Sequence, residues 1–238
     1  MRTIKIETLP LRDGDRVLDL GCGHGRHMHA LYYAKRLHAV GVDLGFEDLK
    51  ITRKGFEDNP DLEENSRRTY SLVQADAGIL PFPDATFDTI VCSEVLEHIP
   101  DYETVLEQIF RVLKPGGTLA VSVPRSWPEW ICWKLSPEGY ANDPGGHVRI
   151  FNAAELRCQI ERRGLRFLRK HWAHGLHSPY WWLQCLNWEK RDRSRAVKAY
   201  HRFLVWDITR QPLVTRLLEA ISNPVMGKSV VMYFVREG

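Results

Sequence analysis

Three glycines and one acidic residue are grouped where a buried strand is expected to meet a helix. Residues 17–25 read Val-Leu-Asp-Leu-Gly-Cys-Gly-His-Gly, and a glycine-free stretch from Arg26 to about Leu37 has a helical pattern. Glycine allows a tight turn and a close approach of the backbone to a ligand. The first N–H groups of a helix have no partner within the helix and attract anionic groups. The segment therefore predicts a cradle for a nucleotide-like ligand.

The spacing of these glycines narrows the class of nucleotide. A dinucleotide-binding fold favours Gly-x-Gly-x-x-Gly, which would place its third glycine where this chain has Arg26. A phosphate-binding P-loop is excluded as well, because no Gly-Lys-Ser or Gly-Lys-Thr follows. On this segment alone, a turn that only packs a helix onto a sheet stays open as the alternative.

Acidic residues follow two further predicted strands. Asp43 lies about 20 positions beyond the glycine turn, a spacing typical of a carboxylate that accepts both ribose hydroxyls; a turn-capping role is the simpler alternative. Asp76 can accept a hydrogen bond from the exocyclic amine of a base, and Leu44 and Ala77 suit the two faces of a purine. Since open α/β sheets bind ligands at the carboxyl ends of their strands, we expect these residues around one site.

Short apolar runs, which indicate buried strands, alternate along the chain with helical patterns. This alternation predicts an α/β fold with a mostly parallel sheet. The clearest helices are Tyr102–Leu113 and Ala153–Arg163, the second with Asn152 as a candidate N-cap. Pro115-Gly116-Gly117 is expected to end the first helix and turn the chain into the next strand. The predicted strands are Arg16–Leu20, His38–Val42, Tyr70–Gln74, Phe87–Cys92, Gly117–Val123, Leu165–His171 and Ser229–Arg236.

Length and composition agree with a globular chain. The 238 residues are 44% hydrophobic, enough for a sizeable core, and no apolar run approaches the length of a membrane-spanning helix. The first ten residues lack the apolar stretch of a signal peptide, and the five cysteines are scattered without a Cys-x-x-Cys pair. We therefore expect a cytoplasmic protein without a disulfide framework.

The two halves of the chain carry opposite charge. Residues 1–110 hold 12 lysines and arginines against 20 aspartates and glutamates, whereas residues 111–238 hold 21 against 10. Basic surface helices that only solvate the second half are the simplest explanation. The alternatives are a surface for an anionic substrate, for a membrane or for RNA.

Six motifs in order resemble the class I S-adenosylmethionine-dependent methyltransferases, particularly the branch of quinone-biosynthesis enzymes. The similarity runs over about residues 14–170, with the last strand added, and includes Gly146–Phe151 before a helix that contains Ala154-Glu155-Leu156. Each motif alone is weak, but their order and spacing together are specific. The six motifs are Val17–Gly25, Val42-Asp43, Ala75–Ala77, Leu80-Pro81-Phe82, Phe87–Ile99 and Val112–Gly117.

The resemblance implies both the fold and the cofactor. It implies a Rossmann-like, doubly wound, seven-stranded sheet with an antiparallel last strand, and S-adenosyl-L-methionine as methyl donor with S-adenosyl-L-homocysteine as product. Asp19 and the glycine turn would hold the methionine part, Asp43 the ribose, and Asp76 with Ala77 the adenine. The implied cofactor-binding set is Asp19, Gly21, Cys22, Gly23, Gly25, Asp43, Leu44, Asp76, Ala77 and Ser93.

Three side chains are candidates for a catalytic base. Methyl transfer is an in-line displacement for which the protein mainly aligns the reactants and excludes water. If the acceptor is a hydroxyl or an acidic carbon, a base near the methyl group accelerates the reaction. The candidates are His98, His147 and Glu94. Structural or acceptor-orienting roles are the alternatives for the histidines, and a contact with the methionine part is the alternative for Glu94.

No metal is required for this chemistry, and we expect no metal site. His171, His174 and His177 recur every third residue, which raises the question of metal binding. No cysteine or acidic residue stands beside them in the sequence, and zinc sites combine such ligands with histidine.

Aromatic and basic residues crowd the second half, where an acceptor site is expected. Trp127, Tyr140, Arg149 and Trp181 are the candidate acceptor-binding residues. The predicted organisation is a cofactor-binding core over residues 1–171, a helical aromatic and basic cap inserted over residues 172–227, and a last strand over residues 228–238 that returns to the core sheet. The aromatic residues could equally form the core of the cap itself, or contact a membrane surface.

The sequence thus predicts a methyltransferase that acts on an oxygen or carbon of a small, hydrophobic or aromatic acceptor. Two alternatives from other classes stay open. One is an RNA methyltransferase that uses the basic half to bind phosphates, although no RNA-binding motif is present and we do not expect a nucleic-acid partner. The other is a scaffold that only binds the cofactor. Peripheral membrane contact through the basic, aromatic half is a further expectation, whereas neither the acceptor nor the oligomeric state is indicated.

Overall fold

A computed structural model describes residues 2–59, 67–143 and 146–238. Its strands are β1 (Arg16–Leu20), β2 (His38–Asp43), β3 (Thr69–Gln74), β4 (Phe87–Ser93), β5 (Leu113–Pro124), β6 (Leu165–Ala173) and β7 (Ser229–Arg236). They form a seven-stranded sheet in the order β3-β2-β1-β4-β5-β7-β6. β7 pairs antiparallel with β5 and β6, and the other pairs are parallel. The predicted Rossmann-like fold with an antiparallel last strand is confirmed.

The helices lie between the strands, and side chains cap three of those described, as N-cap chemistry requires. Asp101 accepts a hydrogen bond from Thr104 N at the start of α3 (Tyr102–Val112), and the predicted N-cap Asn152 accepts one from Ala154 N at the start of α5 (Ala153–Arg162). Ser194 accepts one from Val197 N at the start of α7 (Arg195–Arg210). The helices are α1 (Arg26–Ala34), α2 (Phe46–Asp58), α3 (Tyr102–Val112), α4 (Ser126–Leu135), α5 (Ala153–Arg162), α6 (Ser178–Leu186), α7 (Arg195–Arg210) and α8 (Leu213–Met226).

Both faces of the sheet are buried, because successive side chains of a strand point to opposite faces. Leu18 and Leu20 of β1 belong to a large apolar cluster that includes residues of α3 and α5. Val17 belongs to a second cluster with α1 and with Ile4 of the N-terminal segment. The central strands are therefore held rigidly, and their carboxyl ends form a fixed edge for a site.

The start of β5 differs from the prediction. The strand begins at Leu113 rather than Gly117, directly after α3 ends at Val112. Leu113 pairs with Phe87, and the register between β4 and β5 then shifts. The prediction that Pro115-Gly116-Gly117 ends the helix is therefore wrong, since these residues form the irregular first part of the strand. The pairing with β4 decides this boundary, and local turn signals do not reveal it.

Helices α6, α7 and α8 connect β6 to β7. The predicted core boundary at residue 171 falls inside β6, which runs to Ala173. α6 packs against α4 and α7, and α8 packs against β6 and the short 3-10 turn Gly175–His177. The division into core and cap stays a prediction. Among the described residues, no helix combines the length and the apolar character that crossing a membrane requires.

Candidate active site

The glycine turn after β1 adopts left-handed backbone conformations. φ is +70° at Gly21, +49° at Gly23 and +80° at Gly25, a region that residues with a side chain rarely occupy. A Cβ atom on Gly21 would lie 2.3 Å from Cγ2 of Val95, whereas one on Gly23 would meet nothing within 4 Å. The turn is therefore closed against Val95 at Gly21 and open at Gly23.

The Asp43 carboxylate at the end of β2 joins two turns. Its Oδ2 accepts a hydrogen bond of 2.7 Å from Gly23 N, and its Oδ1 accepts one of 2.8 Å from Gly45 N. Each carboxylate oxygen has two lone pairs, so Asp43 keeps capacity to accept further hydrogen bonds from hydroxyls. After β3, Asp76 is oriented in a similar way, because its Oδ1 accepts a hydrogen bond of 2.7 Å from Gly78 N.

A cavity of about 870 Å³ lies along the carboxyl ends of these strands. Its position is the one that open α/β sheets use for ligands, and its size is that of a site for a small molecule or cofactor. The candidate residues that line it are Gly21, Cys22, Gly23, Asp43, Leu44, Asp76, Ala77, Ser93, Glu94 and His98. The structure thus brings most of the implied cofactor set to one site.

Asp19 and Gly25, which belong to the same implied set, are not among the lining residues. Asp19 is buried, and burial raises the pKa of its carboxyl to about 7 although a hydrogen bond from Met28 N favours the charged form. Its Oδ2 has no hydrogen-bond partner among the residues that the structure describes. Gly25 is the N-cap of α1, where a Cβ atom would lie 2.7 Å from Cγ2 of Thr52. Both residues support the turn from within the fold.

A chain of hydrogen bonds fixes the end of β4. Ser93 Oγ and Ser122 Oγ lie 2.9 Å apart, and Ser122 Oγ donates to Glu94 Oε1 at 2.8 Å. Glu94 has a φ of +56°, a conformation that is costly for a residue with a side chain and is found most often at functional sites. The Glu94 carboxylate is therefore held at the cavity wall by β5.

A buried carboxylate holds His147. Nδ1 of His147 lies 2.6 Å from Oε1 of Glu129. The same oxygen accepts a hydrogen bond from Trp133 Nε1, and Oε2 of Glu129 accepts one from the Tyr140 hydroxyl. Burial alone would raise the pKa of Glu129, but the hydrogen bond and charge of His147, with the charge of Lys228, lower it. Glu129 is therefore an anion at neutral pH. It fixes the imidazole with a proton on Nδ1, which leaves Nε2 as the acceptor nitrogen.

His98 lies next to this pair and at the cavity. Its ring centroid is 4.9 Å from that of His147, with an interplanar angle of 68°, and its Nδ1 lies 3.2 Å from the carbonyl oxygen of Gly146. His98 lines the cavity, whereas His147 is not among the lining residues. The structure thus brings together the two histidines that the sequence placed on separate segments.

Glu97 is a buried carboxyl in the same region. It is 0% exposed, and neither oxygen has a hydrogen-bond partner within the described ranges. Burial and the nearby charge of Glu94 raise the pKa of Glu97 well above its usual range. One ligand atom from each of Glu97, His98 and His147 lies within 4.8 Å of the others.

The four candidate acceptor-binding residues occupy different surroundings. Tyr140 lies beside His147, with ring centroids 5.9 Å apart, and packs on Trp181 at 5.8 Å. Trp127 packs instead on Trp182 at 5.6 Å. Arg149 donates a hydrogen bond of 2.6 Å to the carbonyl oxygen of Pro100, a residue of the cavity wall.

Sequence reasoning missed Glu129, Glu97 and Lys228. A signal for Glu129 was present, since it is the one acidic residue of α4 and stands four positions before Trp133 on the same helix face. Lys228 precedes β7, and its Nζ lies 4.7 Å from the ring centroid of Trp181. No local pattern marks Lys228, because its contacts come from distant parts of the chain.

Comparisons with known proteins agree with the resemblance. A family model described as a methyltransferase domain matches residues 2–170. The chain is 37% identical over 158 residues to the 27-O-demethylrifamycin SV methyltransferase of Amycolatopsis mediterranei, covering 66% of this chain and 56% of that protein. It is 31% identical over 162 residues to the ubiquinone biosynthesis O-methyltransferase of Aeromonas salmonicida, covering 64% and 63%. The match thus spans less than two thirds of each relative's length.

A solved structure supports the fold independently. The YcgJ protein of Bacillus subtilis superimposes with a TM-score of 0.61, covering 98% of this chain and 96% of that chain at 18% identity. At this identity the likeness shows the fold alone, since one fold hosts many activities.

Proposed function

Because the chain belongs to the class I S-adenosylmethionine-dependent methyltransferases, we propose that it methylates an oxygen or an acidic carbon of a small, hydrophobic or aromatic acceptor. The observation that carries the proposal is the pair of His147 and buried Glu129, 2.6 Å apart, next to His98 at the cavity. An imidazole oriented by a carboxylate is suited to take a proton from a hydroxyl or an acidic carbon.

The lining residues fit S-adenosyl-L-methionine. Asp43 would accept hydrogen bonds from the ribose hydroxyls and Asp76 one from the adenine amine, with Leu44 and Ala77 at the purine faces. The free N–H groups at the start of α1 would face the carboxylate of the methionine part. Acidic side chains around the rest of the cavity favour its ammonium and sulfonium charges.

The open space over Gly23 supports a bound ligand. A Cβ atom on this residue of the cavity wall would meet nothing within 4 Å. When bound, the cofactor supplies an electrophilic methyl group and is converted to S-adenosyl-L-homocysteine.

Residues of the chain would accept the proton, stabilise the charge that forms and orient the acceptor. His147, with Nδ1 bonded to Glu129, offers Nε2 to take the proton of the acceptor. The Glu129 anion stabilises the imidazolium that forms, as a carboxylate does in a catalytic triad. His98 would orient the acceptor at the cavity, and Glu94, bonded to Ser122, keeps the end of β4 in place.

Aromatic residues beside His147 support a flat or apolar acceptor. Tyr140 and Trp181 would contact it directly, since aromatic rings offer large apolar area with a polar group at the edge. Arg149, bonded to Pro100 of the cavity wall, and Trp127, packed on Trp182, would act at the rim of the site.

Incubation with methyl-labelled cofactor and a nuclease-treated metabolite extract, followed by mass spectrometry of the labelled product, tests this function. We expect His147→Asn to lower the rate of labelling by about 10²- to 10⁴-fold, the usual contribution of a general base. Glu129→Gln should lower it in the same direction. The affinity for S-adenosyl-L-homocysteine, measured by calorimetry, should not change in either variant.

The control is His201→Asn, a change of an exposed histidine on α7. Wild-type rates in both His147→Asn and His98→Asn would exclude an imidazole base. Labelling that appears only when RNA is left in the extract would replace the small-molecule acceptor with RNA.

Helix α8 turns its apolar side away from the protein. Leu213, Leu217 and Ile221 are 78%, 65% and 72% exposed. Thr215, on the other side of the helix, is buried, and Glu219 is partly buried. A helix on a globular domain normally buries its apolar face. The reversed arrangement favours an apolar environment outside the protein.

We infer that this face rests on an anionic lipid surface. Exposed cations also lie on these two helices, namely Arg195, Lys198, Arg202 and Arg210 of α7 and Arg216 of α8. Apolar side chains together with lysine and arginine are typical of helices that lie in the membrane interface. The expected cytoplasmic location would then be at the membrane, where a hydrophobic acceptor is concentrated.

A further inference from the structure

A second group of titratable side chains meets where the turn after β6 packs against α8. His174 precedes the 3-10 turn Gly175–His177 as its N-cap, and His177 ends it. Residues three apart in a 3-10 helix lie on the same side, and the two ring centroids are 5.6 Å apart. Glu219 of α8 completes the group, with its Oε1 4.0 Å from Nδ1 of His174. One ligand atom from each of the three residues lies within 4.8 Å of the others.

Both histidines keep a buried nitrogen without a partner. Nδ1 of His174 and Nδ1 of His177 have no hydrogen-bond partner among residues 2–59, 67–143 and 146–238. His174 as a whole is 9% exposed. Native proteins satisfy nearly all buried polar atoms, so two such nitrogens side by side indicate a ligand.

The surroundings of His174 favour a metal ion as that ligand. Its Nε2 lies 3.0 Å from Oγ1 of Thr3. With the proton on Nε2 and donated to Thr3, Nδ1 keeps its lone pair toward His177 and Glu219. Metal-binding histidines are oriented in this way by a hydrogen bond from the second ring nitrogen.

We propose that His174, His177 and Glu219 bind a divalent transition-metal ion, with zinc as the expected occupant. Imidazole nitrogen and carboxylate oxygen are zinc ligands at about 2.0–2.2 Å, which places neighbouring ligand atoms of a tetrahedral site about 3.3 Å apart. Small side-chain rotations would bring the three observed groups to that spacing. Calcium and magnesium prefer oxygen ligands and are not expected.

The fourth position would be filled by water or by Asp207. This residue of α7 is buried, and its negative charge acts on both His177 and Glu219. The histidine spacing alone did not predict the site, because the acidic groups come from α7 and α8 rather than from beside the histidines. The ion would tie α8 to the turn after β6 and, through Thr3, to the N-terminal segment.

Zinc titration of the chelator-treated full chain tests the proposal, with the bound metal counted by mass spectrometry after gel filtration. We expect one zinc ion per chain, a higher melting temperature with zinc, and the visible absorption of tetrahedral cobalt when Co²⁺ replaces it. His177→Gln and Glu219→Gln should each abolish stoichiometric binding. Thr3→Val should weaken it by about 10- to 100-fold, as the loss of an outer hydrogen bond does.

Two controls separate this site from other histidines. His171→Gln removes a partly buried histidine outside the group and should leave zinc binding intact. His147→Gln removes a member of the group at the cavity and should also leave it intact. Wild-type protein that takes up no zinc would overturn the proposal, as would zinc binding that is lost in His147→Gln and kept in His177→Gln. If His177→Gln fails to fold by circular dichroism, Glu219→Gln and the cobalt spectrum of the wild type decide.

Discussion

Asp43 combines a structural role with the proposed contact to ribose. Its two oxygens already accept hydrogen bonds from Gly23 N and Gly45 N. Asp43→Asn removes the charge and points an amide N–H group at one of these donors. We expect the affinity for S-adenosyl-L-homocysteine to fall by about 10- to 100-fold, the equivalent of hydrogen bonds to a charged group.

Isothermal titration calorimetry measures that loss. The matched control is Asp84→Asn, which neutralises an exposed aspartate paired with Arg111 away from the cavity. An unchanged affinity in Asp43→Asn would show that the carboxylate only shapes the turns.

His27 gives the free energy of unfolding a pH dependence. Burial lowers the pKa of its imidazole to about 3, and its Nε2 accepts hydrogen bonds from Thr3 N and Ile4 N. In the unfolded chain the pKa returns to about 6.5, so the unfolded state binds the proton more readily. The stability that neutral His27 provides is therefore complete above about pH 6.5 and is lost as the pH falls toward 3.

His27→Gln isolates this effect, because glutamine offers an acceptor oxygen that does not titrate. Between about pH 6 and pH 4, the wild type should lose unfolding free energy relative to the variant by up to about 1.4 kcal/mol per pH unit. Urea denaturation at a series of pH values measures the difference. Parallel stability curves for the two proteins would contradict it.

Single residues were predictable where their neighbours in sequence define the chemistry. Asp43 ends β2 and Asp76 lies two residues beyond β3, and both line the cavity. The proposed role of Glu129 depends on its hydrogen bond to His147, a residue of the loop beyond α4. Sequence spacing carries no information on a contact of that kind.

Two glycines separate the cost of a left-handed backbone conformation from the cost of a side-chain clash. Gly21 and Gly116 have similar φ values of +70° and +77°, but a Cβ atom would clash with Val95 only at Gly21. Gly116→Ala should cost about 1 to 2 kcal/mol through backbone strain. Gly21→Ala should cost clearly more, because Val95 or the turn must also move.

Thermal denaturation of both variants measures this difference, and Gly21→Ala/Val95→Ala should recover part of the excess loss. Equal melting temperatures for the two single variants would mean that the turn yields to the added methyl group without cost.

Element boundaries were predictable when local chemistry sets them. The cap of α5 at Asn152 is an example, since the side chain bonds to a backbone group two residues away. The start of β5 is the opposite case, because its pairing with Phe87 overrides the turn signal of Pro115 to Gly117. The reversal of α8 escaped prediction for a similar reason: Asn223 Oδ1 accepts a hydrogen bond from Gly175 N, which holds the polar side inward.

The exposed apolar side of α8 predicts that the protein binds to anionic vesicles. Sedimentation with phosphatidylcholine vesicles that contain phosphatidylglycerol should carry the protein down, and pure phosphatidylcholine should carry down less. Leu217→Glu/Ile221→Glu should abolish the binding, because it places two carboxylates in the apolar face.

The control is Ile51→Glu, which adds the same charge at an exposed aliphatic residue of α2. Vesicle binding that survives Leu217→Glu/Ile221→Glu would exclude α8 as the contact. A dimer of the wild type that the double change dissociates in the ultracentrifuge would assign the face to a second copy of the chain.

The position of β7 between β5 and β6 has a consequence for synthesis on the ribosome. β6 has β7 as its neighbour in the sheet, and the whole of α6, α7 and α8 must be translated before β7 exists. At about 5–20 residues per second, translation of these helices takes roughly 3 to 10 seconds. During this time the backbone groups of β6 lack the strand with which they pair in the sheet. An unpaired edge invites association with other chains. The nascent protein is therefore most dependent on chaperones in this interval, shortly before its last strand emerges.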